Sequence, residues 1–150
     1  MTSYEKTYIA RWADMDPNGH MRHSAYTDYA AQLRLEFLAD HGFPLVRFAQ
    51  LGIGPILFRE ETRFLKEVGI GESIRVAGEL GGLSADASRW SIIHTLYKAD
   101  GRPSAIVTVD GAWLDLRARK LLVPPTEIVD VLQALPRHAS YTDIVRPAKE

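Results

Sequence analysis

The stretch SAYTDYAAQLRLEFLADHG, Ser24 to Gly42, constrains the fold more than any other. Tyr26, Tyr29, Ala30, Leu33 and Phe37 recur at helical spacing, while Asp28, Gln32 and Glu36 take another side. Leu35 and Leu38 widen the apolar surface beyond one stripe, which suits a helix wrapped by a sheet. Ser24 is the expected N-cap, Asp28 fits the first turn, and Gly42 with Pro44 closes the helix. A strand over Tyr4 to Ala13 precedes it. After a short connection around Pro44 to Gly54, four more strand segments follow: ILFREETRFLKEV, ESIRVAGEL, SRWSIIHTLYKA and SAIVTVDGAWLDL. Within the second of these, Ile74, Val76 and Leu80 share one face at period two. Asp100-Gly101 predicts a hairpin with positive φ at both central positions. A short helix is expected over Thr126 to Leu135. A polar tail from Pro136 follows, either a loose end or a strand that docks on a partner. The order predicts an α+β chain: an antiparallel sheet of about five strands around one long helix. One helix cannot cover both faces of such a sheet, so the bare face and the sheet edge predict a homo-oligomer, a dimer or tetramer.

With 150 residues, one domain spanning 1–150 is expected. The 18 basic and 19 acidic residues leave a formal net charge of −1, which offers no basic surface for nucleic acid or membrane. No cysteine is present, which removes thiol nucleophiles, disulfides and thiolate-bound zinc. No segment reaches the roughly 18 apolar residues of a membrane span. These features together predict a soluble cytoplasmic protein.

The chemistry concentrates in DMDPNGHMRHSA, Asp14 to Ala25. Its opening Asp-x-Asp-x-Asn-Gly copies an EF-hand calcium loop, but position 12 is Ala25 where a bidentate Glu is needed, and position 4 is Pro17. The segment also follows a strand rather than a helix. The alternative use of such a loop is to set a carboxylate beside a helix start, where unpaired N–H groups and the dipole favour developing negative charge. An aspartate with its reference pKa of about 3.9 is ionised at neutral pH and can act as a nucleophile or as a base for water. That combination suits acyl transfer.

DMDPNGHMRHSAY resembles the motif Asp-x-Asp-x-x-Gly-(His/Val/Ile)-(Val/Met)-x-(His/Asn/Tyr)-x-x-Tyr of the hotdog-fold acyl-CoA thioesterases of the 4-hydroxybenzoyl-CoA thioesterase type. ETRFLKEVGIGESIRV resembles that family's strand–turn–strand, and ASRWSIIHTLYKADG its strand leading to a glycine turn. The likeness runs from about Tyr8 to Pro124. It implies a hotdog fold, in which a curved sheet wraps a central helix and two subunits pair their sheets. It also implies hydrolysis of an acyl-CoA thioester, with coenzyme A entering as part of the substrate and no further cofactor. Carried over by position, the catalytic aspartate falls on Asp16, as nucleophile or general base. Gly19 keeps the loop tight. His23 brings the backbone N–H that polarises the thioester carbonyl, and its imidazole is placed to help the thiolate leave or to hold a water.

Each of these residues also has a plainer reading. Asp16 can cap its own turn, and Asp14 can orient the loop. Asn18 fits a turn or a water-holding group. His20 and His23 are three apart, but without a third well-spaced ligand no metal is expected. Tyr26 serves the core or the ligand. Arg59, Arg63, Lys66 and Arg89 suit coenzyme A phosphates or a solvated strand face, and only Arg89 has the support of the resemblance. His41 and His94 fall at a helix end and in a strand, with no partner evident in the sequence. Where many relatives carry a helix Glu, this chain reads Ala30-Ala31-Gln32, which implies a site without a second carboxylate. GIGPILFREE lacks the basic residue often found before the second strand. The rival readings are a hotdog dehydratase or hydratase acting on acyl-CoA or acyl-carrier protein, and a non-catalytic acyl-binding module.

Overall fold

The computed structural model describes residues 3–145. Strand β1 (Tyr4–Ile9) leads through a short 3-10 turn (Trp12–Asp14) and the acidic loop into helix α1 (His23–Asp40). Helix α2 (Leu45–Leu51) and strands β2 (Ile53–Phe64), β3 (Ser73–Ser84), β4 (Arg89–Tyr97) and β5 (Pro103–Asp115) follow. The chain continues as β6 (Lys120–Leu121), α3 (Thr126–Gln133) and β7 (Arg137–Ile144). The main sheet is antiparallel in the order β1-β3-β4-β5-β2. Register shifts at Leu57/Arg59, Leu80/Gly82 and Leu96/Tyr97 mark irregularities of the bulge type that bend strands.

α1 buries Ala25, Tyr26, Tyr29, Ala30, Leu33 and Phe37 against the sheet, as the helical spacing predicts. Its partners include Ile74, Val76 and Leu80 of β3 with Val107 and Val109 of β5, all essentially without exposure. At the far end, the Phe37 ring meets Tyr4 edge-to-face at 4.9 Å, an arrangement that aligns ring edge with ring face.

The structure corrects the sequence reading at several points. The residue before Ser24, His23, already belongs to α1, and the cap is Arg22, with no side-chain cap bond. The Arg22 N–H is tied to the Asp14 carbonyl at 2.7 Å, which fixes the helix start before Ser24 is reached. Ser24 Oγ instead accepts from the Arg22 guanidinium. The supposed connection around Pro44 to Gly54 contains α2, begun after Pro44 and ended by Gly52 in the left-handed region. In the β4–β5 turn only Gly101 has positive φ, because the Gly101 N–H closes onto the Lys98 carbonyl and needs one left-handed residue, not two. The sheet gains two strands beyond the expected five. The polar tail turns back as β7, pairing parallel with Leu80 to Ser84 of β3, while β1 covers Ser73 to Gly78 of the same edge. β7 therefore docks on its own chain. Residues 146–150 of the expected tail lie outside the described residues.

On the other side, β2 pairs only with β5 among the described residues, so its outer edge is open. Leu57, Phe58 and Phe64 on this strand are exposed. No helix among the described residues is long and apolar enough to cross a membrane.

His94, which had no partner in the sequence reading, is fully buried in β4. Its Nδ1 lies 2.8 Å from the Val107 carbonyl, which only accepts, so Nδ1 carries the proton. Burial, then the nearby Arg34 charge, push its pKa down to about 3. Below about pH 6.5 the unfolded chain takes up a proton here that the native chain refuses, so stability falls as pH drops towards 3. His94→Gln removes this group. The variant's urea-unfolding free energy is expected to fall less steeply on acidification, by about 1.4 kcal/mol per pH unit below about 6.5. Parallel slopes for the two proteins would contradict this.

Candidate active site

The acidic loop is held at both ends. Asp14 is 1% exposed and accepts from the Arg11 N–H at 3.0 Å, from the Arg11 guanidinium at 3.1 Å and from the Tyr29 hydroxyl on α1. Burial raises its pKa, but the Arg11 and Tyr29 hydrogen bonds outweigh this and hold the carboxyl below the usual carboxylate range. Asp14 thus orients the loop. Asp14→Asn keeps its shape and removes the charge, leaving the buried Tyr29 hydroxyl and the Arg11 donors poorly matched. The expected loss is about 2 kcal/mol, read by urea unfolding. An unchanged midpoint would contradict the anchoring role.

Further along, the Met21 N–H donates to the Val68 carbonyl at 2.7 Å, and His20 bridges to Gly69. These bonds lay the loop against the segment following β2. Between the two anchors the chain makes a tight turn. The Asp16 N–H donates to the His20 carbonyl and the Gly19 N–H to the Asp16 carbonyl. Gly19 has φ +82°, a left-handed conformation that side chains disfavour.

Asp16 Oδ1 accepts from the Asn18 N–H at 2.9 Å and from the His20 N–H at 3.2 Å. Its Oδ2 has no partner among the described residues. The turn-capping reading is therefore correct for one oxygen and leaves the other available. At the adjoining start of α1, the His23 N–H is directed to no acceptor among the described residues, as expected for the first residue of an uncapped helix. Eighteen residues of helix place the positive end of its dipole there.

Asp16, Asn18, His20, His23, Tyr26 and Lys66 line one cleft of about 400 Å³. Phe64, Leu65, Glu67 and Met21 complete it. Tyr26 forms a buried wall, its ring edge-on to Phe64 at 5.2 Å. Burial, followed by the charges of Glu67, Glu72 and Asp16, pushes the Tyr26 phenol up. His23 and Lys66 are exposed.

Sequence reasoning missed Glu67. Its Oε2 sits 3.1 Å from His20 Nε2, so a second carboxylate does reach the cleft, from the segment after β2 rather than from the helix. No periodic signal marks it, since Lys66 and Glu67 lie beyond the regular strand. Arg59 and Arg89 are not part of the cleft. Arg59 pairs with Asp110 at 3.1 Å and with Glu61, and Arg89 lies over the Phe58 ring at 5.0 Å. Both stand where strand pairing puts them, on the β2–β5–β4 surface. Arg63 lies on β2, paired with Ile106. Among the described residues no group of three or more His, Asp and Glu is arranged to hold a metal ion.

The sequence model of the thioesterase-like superfamily matches residues 10–135. The chain belongs to that superfamily. Membership makes it a thioesterase by class, with hydrolysis of a thioester as its general chemistry. No curated protein matches it in sequence.

Solved structures share the fold. The hypothetical protein SAV2348 from Staphylococcus aureus, determined in complex with CoA, superposes with a TM-score of 0.80 at 21% identity, over 97% of this chain and 90% of that one. Slr0204, a 1,4-dihydroxy-2-naphthoyl-CoA thioesterase from Synechocystis, gives 0.80 at 15% identity, over 89% and 98%. A putative oleoyl thioesterase from Lactobacillus plantarum gives 0.83 at 13%, over 99% of this chain and 55% of that one. The architecture is thus hotdog-like, an antiparallel sheet curled with helices.

Proposed function

We propose that the chain, acting as one domain, hydrolyses an acyl-CoA thioester in the cleft at the start of α1. The observation that carries this reading is the state of Asp16. Two backbone N–H groups fix one oxygen and leave the other without a partner among the described residues, and Asp16 and His23, the first residue of the uncapped helix, line the same cleft. The thioester carbonyl oxygen accepts from the His23 N–H, where the helix dipole stabilises the oxyanion. Two routes then use the free Asp16 oxygen. As a nucleophile it attacks the carbonyl carbon, expels coenzyme A as thiolate and leaves an acyl-aspartyl anhydride that water cleaves. As a general base it takes a proton from water, and the hydroxide adds and expels the thiolate, which recovers the proton. Asn18 and the His20–Glu67 pair border the space where water would stand. Lys66 at the rim offers a cation to coenzyme A phosphate.

We further propose a homodimer that pairs the open edge of β2 with a second copy. An exposed twelve-residue edge strand carrying Leu57, Phe58 and Phe64 is otherwise a site of uncontrolled pairing. The test of function is thiol release from short, long and aromatic acyl-CoAs by the purified chain. Turnover of at least one is the expected result. Tight binding without release on any of them would replace hydrolysis by a binding role.

A further inference from the structure

A second cavity, of about 470 Å³, opens towards the other end of α1, away from Asp16. Its wall is largely apolar and includes Leu33, Phe37, Phe48, Leu57, Trp90 and Trp113. Set into this wall are Arg34 and His94. Among the described residues Arg34 is the one charged side chain lining it, and it emerges from α1 between Leu33 and Leu35.

The guanidinium is poorly satisfied. Because His94 Nδ1–H is committed to the Val107 carbonyl, Nε2 is a lone-pair acceptor, and it receives Arg34 NH1 at 3.3 Å. That is the only hydrogen bond of the Arg34 side chain among the described residues, although a guanidinium carries five N–H donors. No carboxylate of the described residues lies within ion-pair distance of it; Glu60 acts only from farther away. Arg34 is half-buried, and burial pulls its pKa below the usual arginine range, as expected of a charge partly withdrawn from water without a counter-ion among the described residues. Such a group is expensive to hold in an apolar wall unless an anion joins it. Its planar donor fork matches a carboxylate, and the hydrocarbon surface around it matches an apolar body.

We infer that this cavity binds an amphipathic ligand whose apolar body ends in a carboxylate, with the carboxylate on Arg34 and the body among Leu33, Phe37, Phe48 and Trp113. His94 orients the guanidinium as a fixed neutral acceptor. Arg34 and His23 are eleven residues apart on α1, about 16 Å along the axis. The binding therefore does not rest on hydrolysis at Asp16.

The test uses the full chain at pH 7, with octanoate and octan-1-ol as matched probes. Binding is followed by calorimetry and by the fluorescence of the wall residues Trp90 and Trp113. Octanoate is expected to bind at least about tenfold more tightly than octan-1-ol, the margin of a charge-assisted bidentate contact. Arg34→Met, which keeps the length and loses the charge, is expected to erase that preference. Asp16→Asn is expected to keep it. Arg34→Gln gives the same reading should the Met variant not fold. Equal binding of the two probes overturns the inference, as does a preference that survives in the Arg34 variants. Failure of both to bind also overturns it, and would mean that something else meets the guanidinium, such as a carboxylate of a second copy.

Discussion

Asp16→Asn is expected to lower thiol release from the best acyl-CoA substrate about 100-fold or more, the usual loss for a nucleophile or general base. The substitution is well suited to isolating that role. Asparagine keeps a carbonyl oxygen where Oδ1 stands, so the bonds from the Asn18 and His20 N–H groups survive. The turn, and with it the direction of α1, should stay in place. What disappears is the negative charge on the free oxygen, and the amide nitrogen that replaces it neither attacks a carbonyl nor accepts a proton from water. The melting temperature should therefore change little while kcat falls, and KM should move less than kcat. Asp16→Ala removes the turn bonds as well, and would mix a stability loss into the kinetic one. Wild-type rates in Asp16→Asn would remove Asp16 from the chemistry and leave it as a turn cap.

Gly111→Ala is expected to destabilise the fold by about 3 kcal/mol or more, seen as a lower urea midpoint or as failure to accumulate folded protein. Gly111 sits in the middle of β5, paired with Trp90 on one side and Leu57 on the other. A Cβ there would run into the Ile56 carbonyl oxygen and the six-membered ring of Trp90. Neither can step aside cheaply. The carbonyl belongs to the β2 backbone at the bulge, and the indole is packed on Trp113 in the core. The same crowding explains how two tryptophans fit against one strand: the missing side chain is where the Trp90 ring lies. A near-normal midpoint for Gly111→Ala would mean that the sheet is far looser there than its packing indicates.

Much of this architecture is legible in the sequence. The spacing of Tyr26, Tyr29, Ala30, Leu33 and Phe37 carries α1, because burial of one helix side leaves a periodic trace. The four long strands are read from β-branched runs broken by glycine. β7 stays open between a loose end and a docking strand because Arg137, Ser140 and Asp143 give it no alternating apolar face; its place is set by an open edge of β3 in its own chain that only the tertiary fold creates. α2 escapes because seven residues are too few to show a period.

The cleft divides in the same way. Asp16, Asn18, His20 and His23 are close in sequence, so their grouping could be read directly, and Tyr26 follows one helical turn later. Lys66 reaches them only because Met21 pairs with Val68, and Glu67 was missed for the same reason. Arg59 and Arg89 stand on the β2–β5–β4 surface, outside this cleft, a placement that residue type alone does not reveal. Arg34 left one trace, a cation between two leucines on an apolar helix. Nothing in the sequence shows that His94, sixty residues later, stands against it.

The measurement that tests the account most directly is an amide NMR titration of the full chain with a non-hydrolysable 2-oxoalkyl-CoA, a thioether that keeps a ketone carbonyl next to the sulfur-bound methylene, matched to an acyl-CoA that the enzyme turns over. The account predicts that the His23 and Ser24 amide resonances move with the largest amplitude, together with Asn18 and His20, as the carbonyl settles at the start of α1. Saturable binding that leaves those four amides unmoved and shifts another surface instead would contradict it.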